Sequence, residues 1–114
     1  MRKDTKARDF DRKAKVAIME RDKIDGWPCC VHCGAAAPSD ESPVWSKAHF
    51  IARSQGGRGV PENGLTLCPA CHRRYDQTTE RAGMREFFRA YLQDRYPLWS
   101  EESLIYKKGD LNGT

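Results

Sequence analysis

The sequence predicts a small α+β fold in which a ββα core, drawn together by four cysteines, sits between an N-terminal and a C-terminal helix. Three observations carry that expectation. Two Cys-x-x-Cys pairs, Cys30/Cys33 and Cys68/Cys71, flank a stretch of strand-like composition and a glycine-rich loop. Segments before and after this core place apolar residues at helical spacing. Finally, 114 residues with 39% hydrophobic and 32% charged content read as one globular domain with a small core. At that size a bound metal can make up for missing apolar burial.

From about Thr5 to Lys23 the residues Phe10, Ala14, Ala17, Ile18 and Arg21 recur at intervals of three and four, uninterrupted by Gly or Pro, which predicts a helix. Asp25-Gly26 and Pro28 end it. Residues 1–23 contain nine basic and five acidic side chains, so this segment accounts for the whole net charge of +4. A basic arm suits a nucleic-acid backbone and equally suits a solvated charged helix. The first cysteine pair follows, with Gly34 placed to allow a tight turn, and residues 35–43 form a loop.

Val44 to Ala52, with Trp45, His49, Phe50 and Ile51, has the composition of a strand. Ser54 to Asn63, containing Gly56-Gly57, Gly59 and Pro61, is expected to be a loop, and Leu65-Thr66-Leu67 a second strand running into Cys68. Pro69 sits inside the second cysteine pair, and a helix beginning near Ala70 or Cys71 is expected to carry His72, Tyr75 and Asp76. A further helix shows Met84, Phe87, Phe88, Tyr91 and Leu92 as an apolar stripe and stops at Tyr96-Pro97-Leu98-Trp99. The tail has few signals, and residues 109–114 are expected to fray. The organisation expected is a single domain, 1–114, divided into a basic helical arm (1–23), a core (24–76) and a C-terminal helix and tail (77–114).

No apolar run reaches membrane-spanning length, and the N-terminus MRKDTKARDF lacks the hydrophobic stretch of a signal peptide. The expectation is a cytoplasmic protein, a setting in which paired cysteines bind metal more often than they form disulfides. Cys30, Cys33, Cys68 and Cys71 then supply the four thiolates of a closed tetrahedral zinc site. Cys29 is surplus and reads as a neighbour of that site. His32, between two of the cysteines, reads as an exposed residue pointing away from the metal.

His49 taken alone is an ordinary half-buried strand histidine, and His72 alone a helix-start residue. The weighing changes with Asp76, four residues after His72 and hence on the same helix face. That spacing lets an imidazole and a carboxylate share one divalent cation. His49 arrives from the adjacent strand as a candidate base. Between Val44 and Asp76, Lys47, Arg53, Arg58, Arg73 and Arg74 face only Glu62 and Asp76, so the site sits in positive potential.

The stretch AHFIARSQGG…PENGLTLCPACHRRYD resembles the His-Asn-His (HNH) endonucleases of the ββα-metal fold, in the zinc-knuckle branch common in bacteriophage and prophage genomes. The resemblance implies a metal-dependent DNA endonuclease. It implies that His49 is the general base, that Asn63 orients the loop between the strands, and that His72 is a ligand of the catalytic metal. Asp76 corresponds to a second helix ligand in members that have one. It further implies Mg²⁺, with Mn²⁺ or Ni²⁺ as substitutes, and products with 5′-phosphate and 3′-hydroxyl ends. Arg53, Arg58, Arg73 and Arg74 are the candidates for gripping the DNA backbone. Many members carry Asp or His just before the base, as a metal ligand, where this chain has Ala48; fewer protein ligands are implied, with water or phosphate oxygens completing the sphere. DNA is the partner expected, beside phage packaging or recombination proteins, with the chain a monomer or weak dimer. The competing reading is a non-catalytic zinc module that binds nucleic acid or a protein partner.

Overall fold

The computed structural model describes residues 9–40 and 45–105. Helix α1, Arg12–Arg21, starts where the Asp11 carboxylate accepts a hydrogen bond from the Ala14 amide at 2.8 Å. The helix is therefore shorter than the apolar spacing predicted: the cap sets its start, and the expected first turn at residues 5–8 lies outside the described residues. Ala14, Ile18 and Met19 are its buried residues, and Phe10, just ahead of the cap, packs with Ala14 and Ile18.

Strands β1, Lys23–Ile24, and β2, Trp27–Pro28, pair antiparallel. Asp25 and Gly26 between them have φ of 52° and 81°, the pair of positive values that a two-residue type I′ hairpin demands. Asp25-Gly26 is thus a hairpin turn and not the helix stop that the sequence predicts; the helix has already ended at Arg21 with Asp22 as its cap.

The central hairpin pairs β3, Lys47–His49, with β4, Gly64–Thr66, in the register Lys47↔Thr66, Ala48↔Leu65 and His49↔Gly64. The strand expected over residues 44–52 is cut to three residues for a visible reason. Phe50 still donates to the Asn63 carbonyl at 2.8 Å, but the next amide, Ile51, donates to the Asn63 side chain at 2.8 Å. A side chain has replaced the ladder, and the chain turns away. Gly64 is needed where α1 crosses β4, because a Cβ there would lie 2.2 Å from the Ile18 methyl.

Helix α2, Pro69–Gln77, and helix α3, Arg81–Arg95, complete the order. Pro69 takes the first helical position, where a missing N–H costs nothing. The main core gathers Ala48, Phe50, Leu65, Leu67, Tyr75, Phe88, Leu92 and Leu104. The stripe on α3 is narrower than read from sequence: Met84, Phe88 and Leu92 are buried, whereas Phe87 is 48% exposed. A short tail straps the fold. Trp99 donates its indole N–H to the Glu62 carbonyl at 2.8 Å, and Arg58 N–H donates to the Leu104 carbonyl at 2.8 Å.

Candidate metal centre and cleavage site

Cys30, Cys33, Cys68 and Cys71 converge from two places in the chain, with all four sulfurs within 4.8 Å of one another. Cys33 and Cys68 sulfurs stand 3.8 Å apart, matching the separation of about 3.8 Å that tetrahedral zinc with bonds of about 2.3 Å imposes. The local backbone builds this cradle. Gly34, at φ 80°, closes the first turn by donating to the Cys30 carbonyl at 2.9 Å, and the Cys33 amide points at Cys30 Sγ at 3.5 Å. Cys68 caps α2, its sulfur accepting from the Cys71 amide at 3.5 Å. The Val31 amide donates to the Thr66 carbonyl at 2.8 Å and ties the first turn to β4. Burial and the neighbouring thiols push the Cys71 thiol well above its ordinary range, so by itself that thiol holds its proton and a bound dication would displace it. The donor set fits a structural zinc.

Cys29 lies outside this group, buried, with its sulfur 3.4 Å from the Trp27 carbonyl. His32 departs from the expectation of an exposed bystander. Its Nδ1 is 3.6 Å from Cys71 Sγ, and its ring packs edge-on against Phe87 and Phe88. In the tautomer with its proton on Nδ1, this imidazole donates to a ligand sulfur and stabilises thiolate character, a contact that residue spacing does not reveal.

Next to the cysteines lies a cleft of about 530 Å³ lined by Lys47, His49, Arg53, His72, Asp76 and Arg81, among others. His49, the last residue of β3, presents a half-buried imidazole to it. His72 and Asp76 come from successive turns of α2, with His72 Nε2 3.0 Å from Asp76 Oδ2. Among the described residues, the four cysteines are the one group of three or more metal-ligating side chains closing within 4.8 Å. His49 thus shares the cleft with the His72/Asp76 pair without joining it as a third ligand at that distance.

Asn63 has no exposed surface. Its Oδ1 accepts from Ile51 N–H, and its Nδ2 donates to the Ile51 carbonyl at 3.2 Å and the Arg58 carbonyl at 2.9 Å. These three bonds fold residues 51–58 back beside β3, directly after His49. Ala48 also has no exposed surface and is part of the apolar cluster with Leu65, Leu67 and Tyr75; its β-strand neighbours Lys47 and His49 point to the other face.

The four arginines proposed from sequence separate. Arg53 lines the cleft and pairs with Asp9 at 2.5 Å. Arg73 is exposed on a neighbouring hollow that also includes His72 and Asp76. Arg74 is engaged by Glu80 through Nε and Nη2. Arg58 lies elsewhere, in an apolar groove with Tyr96, Leu98 and Leu104, its Nε 3.5 Å from the Ile105 carbonyl. Charge counting along the chain could not show that Glu80 and the C-terminal strap occupy Arg74 and Arg58. It also missed Arg81, which enters the cleft from α3, and Phe10, which stacks on His49 with ring centroids 4.1 Å apart.

Residues 30–78 match the HNH endonuclease family. That stretch is similar to HNH endonucleases over somewhat less than half of the chain. The matched stretch contains the four cysteines, His49, Asn63, His72 and Asp76. The chain is also 35% identical over 66 residues to the Type IV methyl-directed restriction enzyme EcoKMcrA of Escherichia coli K12; the alignment covers 55% of this chain and 22% of that protein. No helix among the described residues is long and apolar enough to cross a membrane.

Proposed function

We propose that the protein hydrolyses DNA phosphodiester bonds, with His49 as general base and His72 and Asp76 as holders of one divalent cation. The observation that carries this reading is the meeting of His49, at the end of β3, with the His72/Asp76 pair of α2 in one cleft of the HNH segment.

A neutral His49 imidazole can accept a proton from water as it attacks phosphorus. The stack of Phe10 on His49 fixes the ring plane, and the three bonds of Asn63 fix the backbone that follows it. One imidazole nitrogen and one carboxylate in an open cleft suit a hard cation that keeps part of its water shell. His72 Nε2 and Asp76, now 3.0 Å apart, would hold it between them, and the chemistry it supplies is stabilisation of charge at phosphorus and on the departing 3′ oxygen. Arg53 and Arg73, flanking the cleft, bind adjacent backbone phosphates in this reading.

A plasmid-nicking assay with Mg²⁺, Mn²⁺ or Ni²⁺, with and without EDTA, tests the reading. Zinc-loaded wild type is expected to leave 5′-phosphate and 3′-hydroxyl ends. His49→Ala should cut about a hundredfold more slowly or worse, with its zinc retained. Retarded DNA mobility with no cleavage under any metal would instead establish a binding module without chemistry.

A further inference from the structure

We propose that Arg81 is a phosphate-gripping residue of the cleft, holding a non-bridging oxygen of the DNA strand beside Asp76. The inference rests on the nuclease reading for its substrate, but Arg81 lies outside residues 30–78 and so outside the matched segment.

Arg81 is the first residue of α3, and its side chain turns back across the end of α2. The guanidinium carbon sits 4.1 Å from the centroid of the Tyr75 ring. Nη1 donates to the Tyr75 carbonyl at 3.0 Å and Nη2 to the Phe50 carbonyl at 3.3 Å. The Phe50 carbonyl also accepts from the fully buried Tyr75 hydroxyl at 2.7 Å, so the platform beneath the guanidinium is itself fixed. Two of the five N–H groups are thereby used, and the plane is set before any ligand arrives.

Nη1 also stands 3.7 Å from Asp76 Oδ1. That distance gives charge attraction without a good hydrogen bond, so Asp76 has not captured the remaining donors. Asp76 is the carboxylate assigned above to the cation, and a phosphate oxygen drawn to that point falls within reach of Arg81. The other arginine of the cleft, Arg53, is paired with Asp9 and is half exposed. Arg81 offers what the others lack: a stacked, oriented guanidinium next to the ligand pair.

The competing role is a staple, joining Phe50 and the end of α2 to α3 with no part in DNA binding. Arg81→Met and Arg81→Lys in the zinc-loaded full chain separate the two. Binding of a DNA duplex is measured without added divalent cation across a salt series, together with thermal melts, and cleavage with Mn²⁺ is measured well below every melting midpoint. For Arg81→Met we expect the slope of log affinity against log salt to fall by about 0.9, the value of one phosphate contact, with kcat/KM down about tenfold or more. Arg81→Lys should recover the slope but not the full rate, since a point charge replaces an oriented fork. An unchanged slope and an unchanged kcat/KM in folded Arg81→Met, with only a lowered melting midpoint, would overturn the proposal in favour of the staple. Wild type that binds without cutting sinks the hydrolytic reading alone, because the fall in slope still reports Arg81 on a phosphate. Wild type that does not bind DNA overturns both.

Discussion

The imidazole of His49 lies nearly parallel to the ring of Phe10, with centroids 4.1 Å apart and planes 26° from one another. Phe10 is 8% exposed and belongs to the segment just ahead of α1, held over the cleft by the Arg53/Asp9 ion pair and by the close passage of Gly59 beneath Asp9. A proposed base that must meet one proton in one direction is sensitive to such a stack. Phe10→Leu keeps most of the apolar volume and should cost less than about 1.5 kcal/mol of stability. Cleavage is nevertheless expected to fall about tenfold, since small misplacements of reacting groups are expensive. Melting and nicking rate measured on the same preparation check this, and an unchanged rate would show that His49 keeps its orientation without the stack.

Asn63 offers a second, cleaner perturbation. Asn63→Asp keeps the oxygen that accepts from Ile51 N–H but sets a carboxylate oxygen against the Ile51 and Arg58 carbonyls, where an amide now donates. Losing buried donors and burying a charge should destabilise by roughly 2–4 kcal/mol. Residues 51–58 should open first. Hydrogen exchange at the Ile51 amide, which its bond to Asn63 is expected to protect in wild type, reads the outcome directly. Protection equal to wild type would mean that the loop is held by other contacts.

For the cysteine cluster the expectation is asymmetric. Cys30→Ser, Cys33→Ser, Cys68→Ser and Cys71→Ser each remove one of four converging donors and should lose zinc and the cooperative fold, because metal binding and folding are coupled in a domain this small. Cys29→Ser should keep one zinc per chain, since its sulfur faces the Trp27 carbonyl and not the cluster. Elemental analysis with circular dichroism decides it. Zinc lost from Cys29→Ser would reassign the ligands.

The parts of this architecture that were legible in the sequence are those written in local spacing. Two Cys-x-x-Cys pairs predict the cluster, the second pair brings the start of α2 to within one or two residues of Pro69, and the four-residue interval of His72 and Asp76 puts both on one helix face. Long-range matters were not legible. Which arginine reaches the cleft depends on Glu80 engaging Arg74, on the C-terminal strap holding Arg58, and on α3 carrying Arg81 back over Tyr75. The cap at Asp11 and the hairpin at Asp25-Gly26 are also local, but the apolar periodicity from Phe10 to Arg21 runs across the first and up to the second and masks both signals.

Lys47 carries the last prediction. It precedes His49 by two residues on the same strand face, lines the cleft, and is only 6% exposed. Its ammonium is out of solvent contact and has no hydrogen-bond partner among the described residues. Burial pushes its pKa below the ordinary lysine range, partly offset by Asp22 and reinforced by Arg21 and Lys15. The unfolded chain therefore binds the proton more tightly than the folded one. Between the depressed native pKa and the unfolded value of about 10.4, stability contributed by this group rises with pH. Lys47→Met removes the charge at similar volume, so at pH 7 it should be neutral or up to about 2 kcal/mol more stable than wild type. The advantage should shrink as pH rises towards the ordinary lysine range. A charge so poorly placed for the fold is well placed to make the potential of the cleft positive, and cleavage by Lys47→Met is expected to fall about tenfold despite the added stability. Melts at neutral and alkaline pH, with nicking rates at neutral pH, check both halves. A variant less stable than wild type at pH 7 would show that the ammonium is satisfied in the folded state after all.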